Sequence, residues 1–168
     1  MKQRRLGKHG PMISPIGIGA MSFSNFYGRT SEADSHAILN TALDEGVTHI
    51  DTADIYGPLT SEEVIGSFLA RQGSQRNDMF SIATKAGIAR DADTGKRYFD
   101  NSAAYLESRL DASLTRLGVD HVDLFYVHRR DADTPIEEVA DTLAALVKSG
   151  KTRSFGFSEI APASLRRA

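Results

Sequence analysis

Short apolar runs alternate along this chain with longer stretches whose apolar residues recur at a helical period. The runs are PIGIGAM at 15–21, VTHIDTA at 47–53, FSIATKAG at 80–87, VDLFYVH at 122–128 and RSFGFS at 153–158. Each has the length of a strand, and the spacing predicts helices between them over 31–45, 60–72, 101–117 and 135–149. In the third helix Tyr105, Leu106, Leu110, Leu114 and Leu117 fall on one stripe that a sheet can cover. Thr60 with Glu63 and Thr134 with Glu137 have capping-box spacing, and Pro135 suits a first helical position. Gly46 and Gly150 stand where left-handed C-terminal caps belong. The opening RRLGKHGPMISP reads as a polar hairpin ahead of the first strand–helix unit.

Strands that alternate with one-faced helices pair in parallel through right-handed crossovers, so the class is α/β. A doubly wound sheet and a (β/α)8 barrel both produce this pattern, and periodicity does not choose between them. Parallel strands are covered on both sides, so the runs are expected to be apolar on both faces. The chain has 168 residues, 40% of them hydrophobic, enough for a core in one domain spanning 1–168.

Charge narrows the partners. The 20 basic and 22 acidic residues are scattered, with no basic tract to face nucleic acid or a membrane surface. No apolar run approaches the ~20 residues of a membrane span, and no apolar segment of signal-peptide type follows the start. Without cysteine there is no disulfide, thiolate nucleophile or cysteine metal site, which fits a cytoplasmic location.

In an α/β fold the active site gathers where the carboxyl ends of the strands converge. That rule selects Asp51 and Tyr56 after the second run, Lys85 near the end of the third and His128 at the end of the fourth. Singly, each has a bland role as a cap, a solvated end, a core histidine or a loop aromatic; together they have a direction. A phenol beside an ammonium releases its proton more readily, so Tyr56 becomes an acid because of Lys85, and Asp51 keeps the ammonium charged. His128 can donate to an oxygen that gains negative charge, which suits a carbonyl being reduced. None of the four supplies electrons, so a cofactor is required.

GVTHIDTADIYG, ATKAG, VDLFYVH and GKTRSFGFSE, in that order and spacing, resemble the aldo-keto reductase superfamily. LGKHGPMISPIGIGAM resembles that family's N-terminal hairpin and first strand, so the resemblance covers essentially the whole chain. It implies a (β/α)8 barrel that reduces small aldehydes and ketones with a nicotinamide cofactor, usually NADPH, and needs no metal. Tyr56 is then the proton donor, Asp51 and Lys85 tune it, and His128 orients the carbonyl. Ser158 matches the serine that contacts the nicotinamide carboxamide, and Gly19, Met21 and Asp51 join it on the cofactor side. Where the family often has asparagine after that serine, this chain has Glu159. Gly17 and Gly19 form no Rossmann fingerprint and are expected to allow close backbone packing. MSFSNFYG at 21–28 is expected to form one wall of the substrate pocket.

A (β/α)8 barrel takes ~250 residues, and in such barrels the phosphate site frequently follows strands 7 and 8. Five strands are legible here, so a truncated barrel is expected: a hairpin, about four βα units and a fifth strand. Two functions stay open, part of an NADPH-dependent reductase or a catalytically inactive barrel serving as an oligomeric or cofactor-sensing binding module. The two free sheet edges predict a homodimer.

Overall fold

The structure is a computed structural model that describes residues 1–8, 10–57, 59–73 and 78–168. A two-stranded antiparallel hairpin, β1 (Arg4–Arg5) and β2 (Met12–Ile13), opens the chain. The central sheet consists of β3 (Ile18–Gly19), β4 (His49–Asp51), β5 (Ser81–Ala86), β8 (Leu124–Val127) and β9 (Phe155–Phe157). All neighbours in it are parallel and lie in chain order, β3-β4-β5-β8-β9. Sequential order settles what periodicity left open. A doubly wound sheet places successive strands on both sides of its first strand, whereas staves laid down in one direction are part of a barrel wall.

Four helices cover one side of the sheet: α1 (Glu32–Asp44), α2 (Thr60–Ala70), α3 (Ala103–Leu117) and α4 (Ile136–Lys148), and a short α5 (Pro162–Arg167) follows β9. Their apolar stripes meet the outward residues of the strands. Ile50, Ile82, Phe125 and Val127 are buried with Leu39, Ile65, Leu106, Leu110, Leu117 and Leu143 in one core. Gly66 lets α2 and α3 close on each other, since a Cβ there would lie 1.9 Å from the Arg116 carbonyl oxygen.

The helix starts differ from the predicted capping boxes. Thr60 does not cap α2; the N-cap is Leu59, and the Thr60 hydroxyl turns back to the Gly57 carbonyl at 2.9 Å. At α4 the N-cap is Pro135, while the Thr134 hydroxyl donates to Asp131 and Glu137 pairs with Arg167. In both places the helix starts at a different residue from the one the spacing predicts, so the threonine oxygen is not set to accept from the first-turn N–H groups, and its hydrogen goes to a nearby loop acceptor. The capping box that does form joins Ser31 and Asp34 at α1, with the shorter acid doing the work expected of glutamate. Gly46 and Gly150 end their helices in the left-handed region, at φ 74° and 82°.

The inner face of the sheet departs from the apolar pattern expected on both faces of parallel strands. Ion-pair and hydrogen-bond partners place Asp51 and Lys85 together on that face, with His49 and Tyr126 within electrostatic reach of Asp51. The helix side is mostly apolar, interrupted by Thr84 bonded to buried Glu62, whereas the barrel side is polar because the site is built there. A second hairpin, β6 (Ile88–Arg90) with β7 (Arg97–Phe99), follows β5 and has no counterpart in the predicted elements. Its second strand is fully exposed, so no alternation of buried and open positions marks it in the sequence.

Candidate active site

Parallel register lines up the ends of four staves. Gly19 pairs with Asp51, Asp51 with Ala83, and Lys85 with Tyr126. The backbone N–H of His128 donates to Ala86 at 2.7 Å, and that of Ser158 donates to Val127 at 3.0 Å, so both residues emerge just past their strands at the same rim. Between β4 and α2 the chain makes a compact turn. Asp54 N–H reaches back to the Lys85 carbonyl at 3.1 Å, and Leu59 N–H reaches back to the Asp54 carbonyl at 2.9 Å. This turn lifts Tyr56 over the end of β5. Gly57 fits because its φ is 90° and because a Cβ there would sit 2.7 Å from Ser24. Leu59 takes φ 71° without being glycine, a conformation that costs about 1–3 kcal/mol and is held by the turn and α2.

Lys85 organises the center. It is 5% exposed, and its ammonium donates to Asp51 Oδ1, to the Thr52 carbonyl at 2.8 Å and to the Tyr56 hydroxyl at 3.2 Å. An ammonium has three hydrogens, and all three are used. The Tyr56 oxygen is therefore an acceptor toward Lys85, and its own hydrogen must be donated elsewhere. The open direction is a cavity of about 420 Å³ that Tyr56 lines together with His128, Met21 and Ser158.

The Tyr56 and His128 rings meet edge to face with centroids 5.9 Å apart. Burial holds the His128 imidazole well below its ordinary range, at about 4, reinforced by the positive charges of Lys85 and Arg129. It is neutral at pH 7 and carries one N–H. Nδ1 is buried without a partner. An unpaired buried acceptor costs less than an unpaired buried donor, so we assign the hydrogen to Nε2, which has no hydrogen-bond partner among the described residues.

Asp54, the second acid of the DTADIYG stretch, does not join this cluster. It is buried on the far side of the turn, where Oδ2 accepts from Arg109 Nε at 2.8 Å and Oδ1 has no partner. Burial raises its carboxyl to about 6 against the opposing pull of Arg109. Gly17 packs closely as expected, a Cβ there lying 3.0 Å from the His49 ring, but Gly19 does not: nothing lies within 4 Å of its would-be Cβ, and its face is open. The 21–28 segment contributes Met21, Ser24 and Phe26 to the cavity, while Phe23 is buried in the core.

Sequence reasoning missed Arg97, Arg129, Ile55 and Ile88, which also line the cavity. It also missed Asn101, buried at 1% exposure, whose amide donates to the Arg129 carbonyl at 3.1 Å and accepts from Asp131 N–H at 2.7 Å, clasping the loop after His128. Arg129 carried a signal in its position next to His128. Arg97 carried none, since it arrives on the unforeseen hairpin. Glu159 turns out to be paired with Arg129 at 3.2 Å.

A sequential parallel sheet covered by helices, with a carboxylate, an ammonium, a phenol and a neutral imidazole gathered at one rim, defines a fold class, the (β/α)8 barrels. The sequence profile of the Aldo/keto reductase family matches residues 15–168, and the chain belongs to that family. It is 40% identical over 156 residues to aldo-keto reductase yakc of Schizosaccharomyces pombe, whose name carries NADP(+), covering 93% of this chain and 45% of that protein. It is 35% identical over 165 residues to the Glycine max protein named "Probable aldo-keto reductase 1", covering 98% of this chain and 46% of the other. Among solved structures, the holo form of an aldo-keto reductase from Bacillus halodurans superimposes with a TM-score of 0.85 at 30% identity, covering 99% of this chain and 53% of that one. The glycerol dehydrogenase from Gluconobacter oxydans gives 0.81 at 30% identity, covering 98% and 50%. The chain thus spans about half the length of the relatives it matches.

Proposed function

We propose that residues 1–168 form one domain carrying the catalytic part of a cytoplasmic, NADPH-dependent reductase that converts small aldehydes or ketones to alcohols. The observation that carries this reading is the saturated Lys85 ammonium, which makes the Tyr56 oxygen an acceptor and leaves its hydrogen, unpartnered among the described residues, for a ligand in the cavity. Tyr56 gives that proton to the carbonyl oxygen of the substrate, and the phenolate left behind lies beside the Lys85 ammonium. Asp51 holds the ammonium in place. His128 donates from Nε2 to the same carbonyl oxygen and fixes its orientation.

The nicotinamide cofactor, when bound, supplies the hydride. The residues on the cofactor side suit a flat polar ring. Gly19 offers an open face, the Ser158 hydroxyl has no hydrogen-bond partner among the described residues, Met21 lines the cavity, and Asp51 is 38% exposed at its side chain. The NADP(+) in the name of the fission-yeast relative supports the choice of cofactor.

The test is oxidation of NADPH by the whole protein in the presence of a simple aldehyde, compared with Tyr56→Phe. We expect a loss of roughly 10²-fold or more in kcat with little change in NADPH affinity, the weight of a general acid. A Tyr56→Phe protein with most of its kcat would remove Tyr56 from the mechanism.

A further inference from the structure

The cavity at Tyr56 and His128 is charged at its other side. Two guanidiniums, Arg97 and Arg129, line it, and none of its described lining residues is a carboxylate. The two arginines differ in what they already hold. Arg129 donates to the His128 carbonyl at 2.7 Å and pairs with Glu159 at 3.2 Å, so its charge is answered. Arg97 makes no side-chain hydrogen bond or ion pair with any described residue, although backbone pairing with Arg90 across the hairpin fixes its position. A guanidinium that is positioned but unpaired, in the wall that also presents the proton donor, matches a planar carboxylate through two parallel N–H bonds.

Resting on the reductase reading above, we propose that the preferred substrate is a short aldehyde carrying a carboxylate, bound with its carbonyl oxygen at Tyr56 and His128 and its carboxylate at Arg97. The reaction balances as before: the carbonyl carbon gains a hydride from NADPH, which leaves as NADP(+), and the oxygen gains the Tyr56 proton, which solvent restores. Phe26 and Ile88 line the same cavity and give the methylene chain between the two ends an apolar path. Arg97 is a specificity residue in this scheme and takes no part in proton transfer.

The test compares succinic semialdehyde with butanal, which has the same number of carbons and no charge, using the whole protein with NADPH. Charge-assisted hydrogen bonds of this kind correspond to roughly ten- to hundred-fold, so kcat/KM should favor succinic semialdehyde by that factor at low salt and by less as ionic strength rises. In Arg97→Ala the ratio should fall toward one, chiefly through KM for the anion, and Arg97→Lys should restore part of it. A ratio near one in the parent protein, or a ratio unchanged in Arg97→Ala, overturns the proposal while leaving the reductase reading intact. If neither aldehyde is reduced, the reductase reading fails instead, and calorimetric titration with succinate decides the anion site by itself. Binding that disappears in Arg97→Ala supports the site, and no binding, or equal binding in both proteins, overturns it.

Discussion

At the residue scale the site depends on how one buried ammonium distributes its hydrogens. Replacing Lys85 by methionine removes all three bonds and leaves the Thr52 carbonyl and Asp51 unanswered, so we expect kcat to fall by on the order of 10²-fold or more while the alcohol–aldehyde equilibrium is unaffected. Steady-state kinetics on the folded variant checks this. Two buried groups, Asp54 beside the site and His128 within it, give stability a pH dependence of opposite sign. Asp54 is raised from 3.8 to about 6, so the folded chain keeps a proton that the unfolded chain has released. Its contribution is complete below 3.8 and is lost as pH rises through 6. His128 is lowered from 6.5 to about 4, so its contribution is complete above 6.5 and is lost as pH falls toward 4. The two slopes oppose each other over the same interval. Urea midpoints measured between pH 4 and 6.5 should therefore rise with pH more steeply in Asp54→Asn than in the parent, and less steeply, or downward, in His128→Asn. Parallel curves for all three proteins would show that neither group is perturbed by burial.

At the scale of elements, α3 is fastened to the β4–α2 segment by two arginines two turns apart. Arg109 takes Asp54, and Arg116 takes Glu62, which is fully buried on α2 and also accepts from Thr84 of β5 at 2.5 Å. One acid thus joins α2, α3 and β5. Removing only one partner of such a pair strands a buried charge, so Arg116→Met should cost about 3–5 kcal/mol in urea unfolding. Adding Glu62→Gln should recover part of that loss, because the uncompensated charge goes with it. A cost below about 1 kcal/mol would mean that solvent already reaches Glu62. Neither interaction is visible in the sequence. Glu62 and Arg116 fall on helices whose apolar stripes are plain, but nothing in a helical period says that a charged position faces another helix rather than water.

At the scale of the whole molecule, the sheet formed by the described residues has two free edges, β3 and β9, since each pairs on one side only. Ile16 beside β3 and Phe155 on β9 are exposed to 63% and 37%, and edges with open N–H and C=O groups invite another strand. The 168-residue polypeptide made by itself is expected to self-associate, most simply as a two-fold dimer that covers both edges with one kind of contact. Light scattering across a concentration series checks this, and a folded monomer at high concentration would refute it. No helix among the described residues is long and apolar enough to cross a membrane.

The five strands, four long helices and opening hairpin were legible in the sequence because apolar periodicity and glycine caps are local signals that core packing enforces. The grouping of Asp51, Tyr56, Lys85 and His128 was legible too, because in parallel βα units one rule places strand ends on one rim. Tertiary structure decided the rest. It chose a barrel wall over a doubly wound sheet, since strand order depends on which neighbors pair and not on any strand's own pattern. It set the caps at Leu59 and Pro135, because the turns before α2 and α4 decide which residue leaves the helix, and the threonine hydroxyls then donate back to Gly57 and Asp131. It brought Arg97 to the cavity on a hairpin that no burial pattern announces, and it separated Asp51 from Asp54, three residues apart in sequence but on opposite sides of one turn. Charges are solvated alike in an extended chain, and only packing determines which of them meets a partner, a ligand or water.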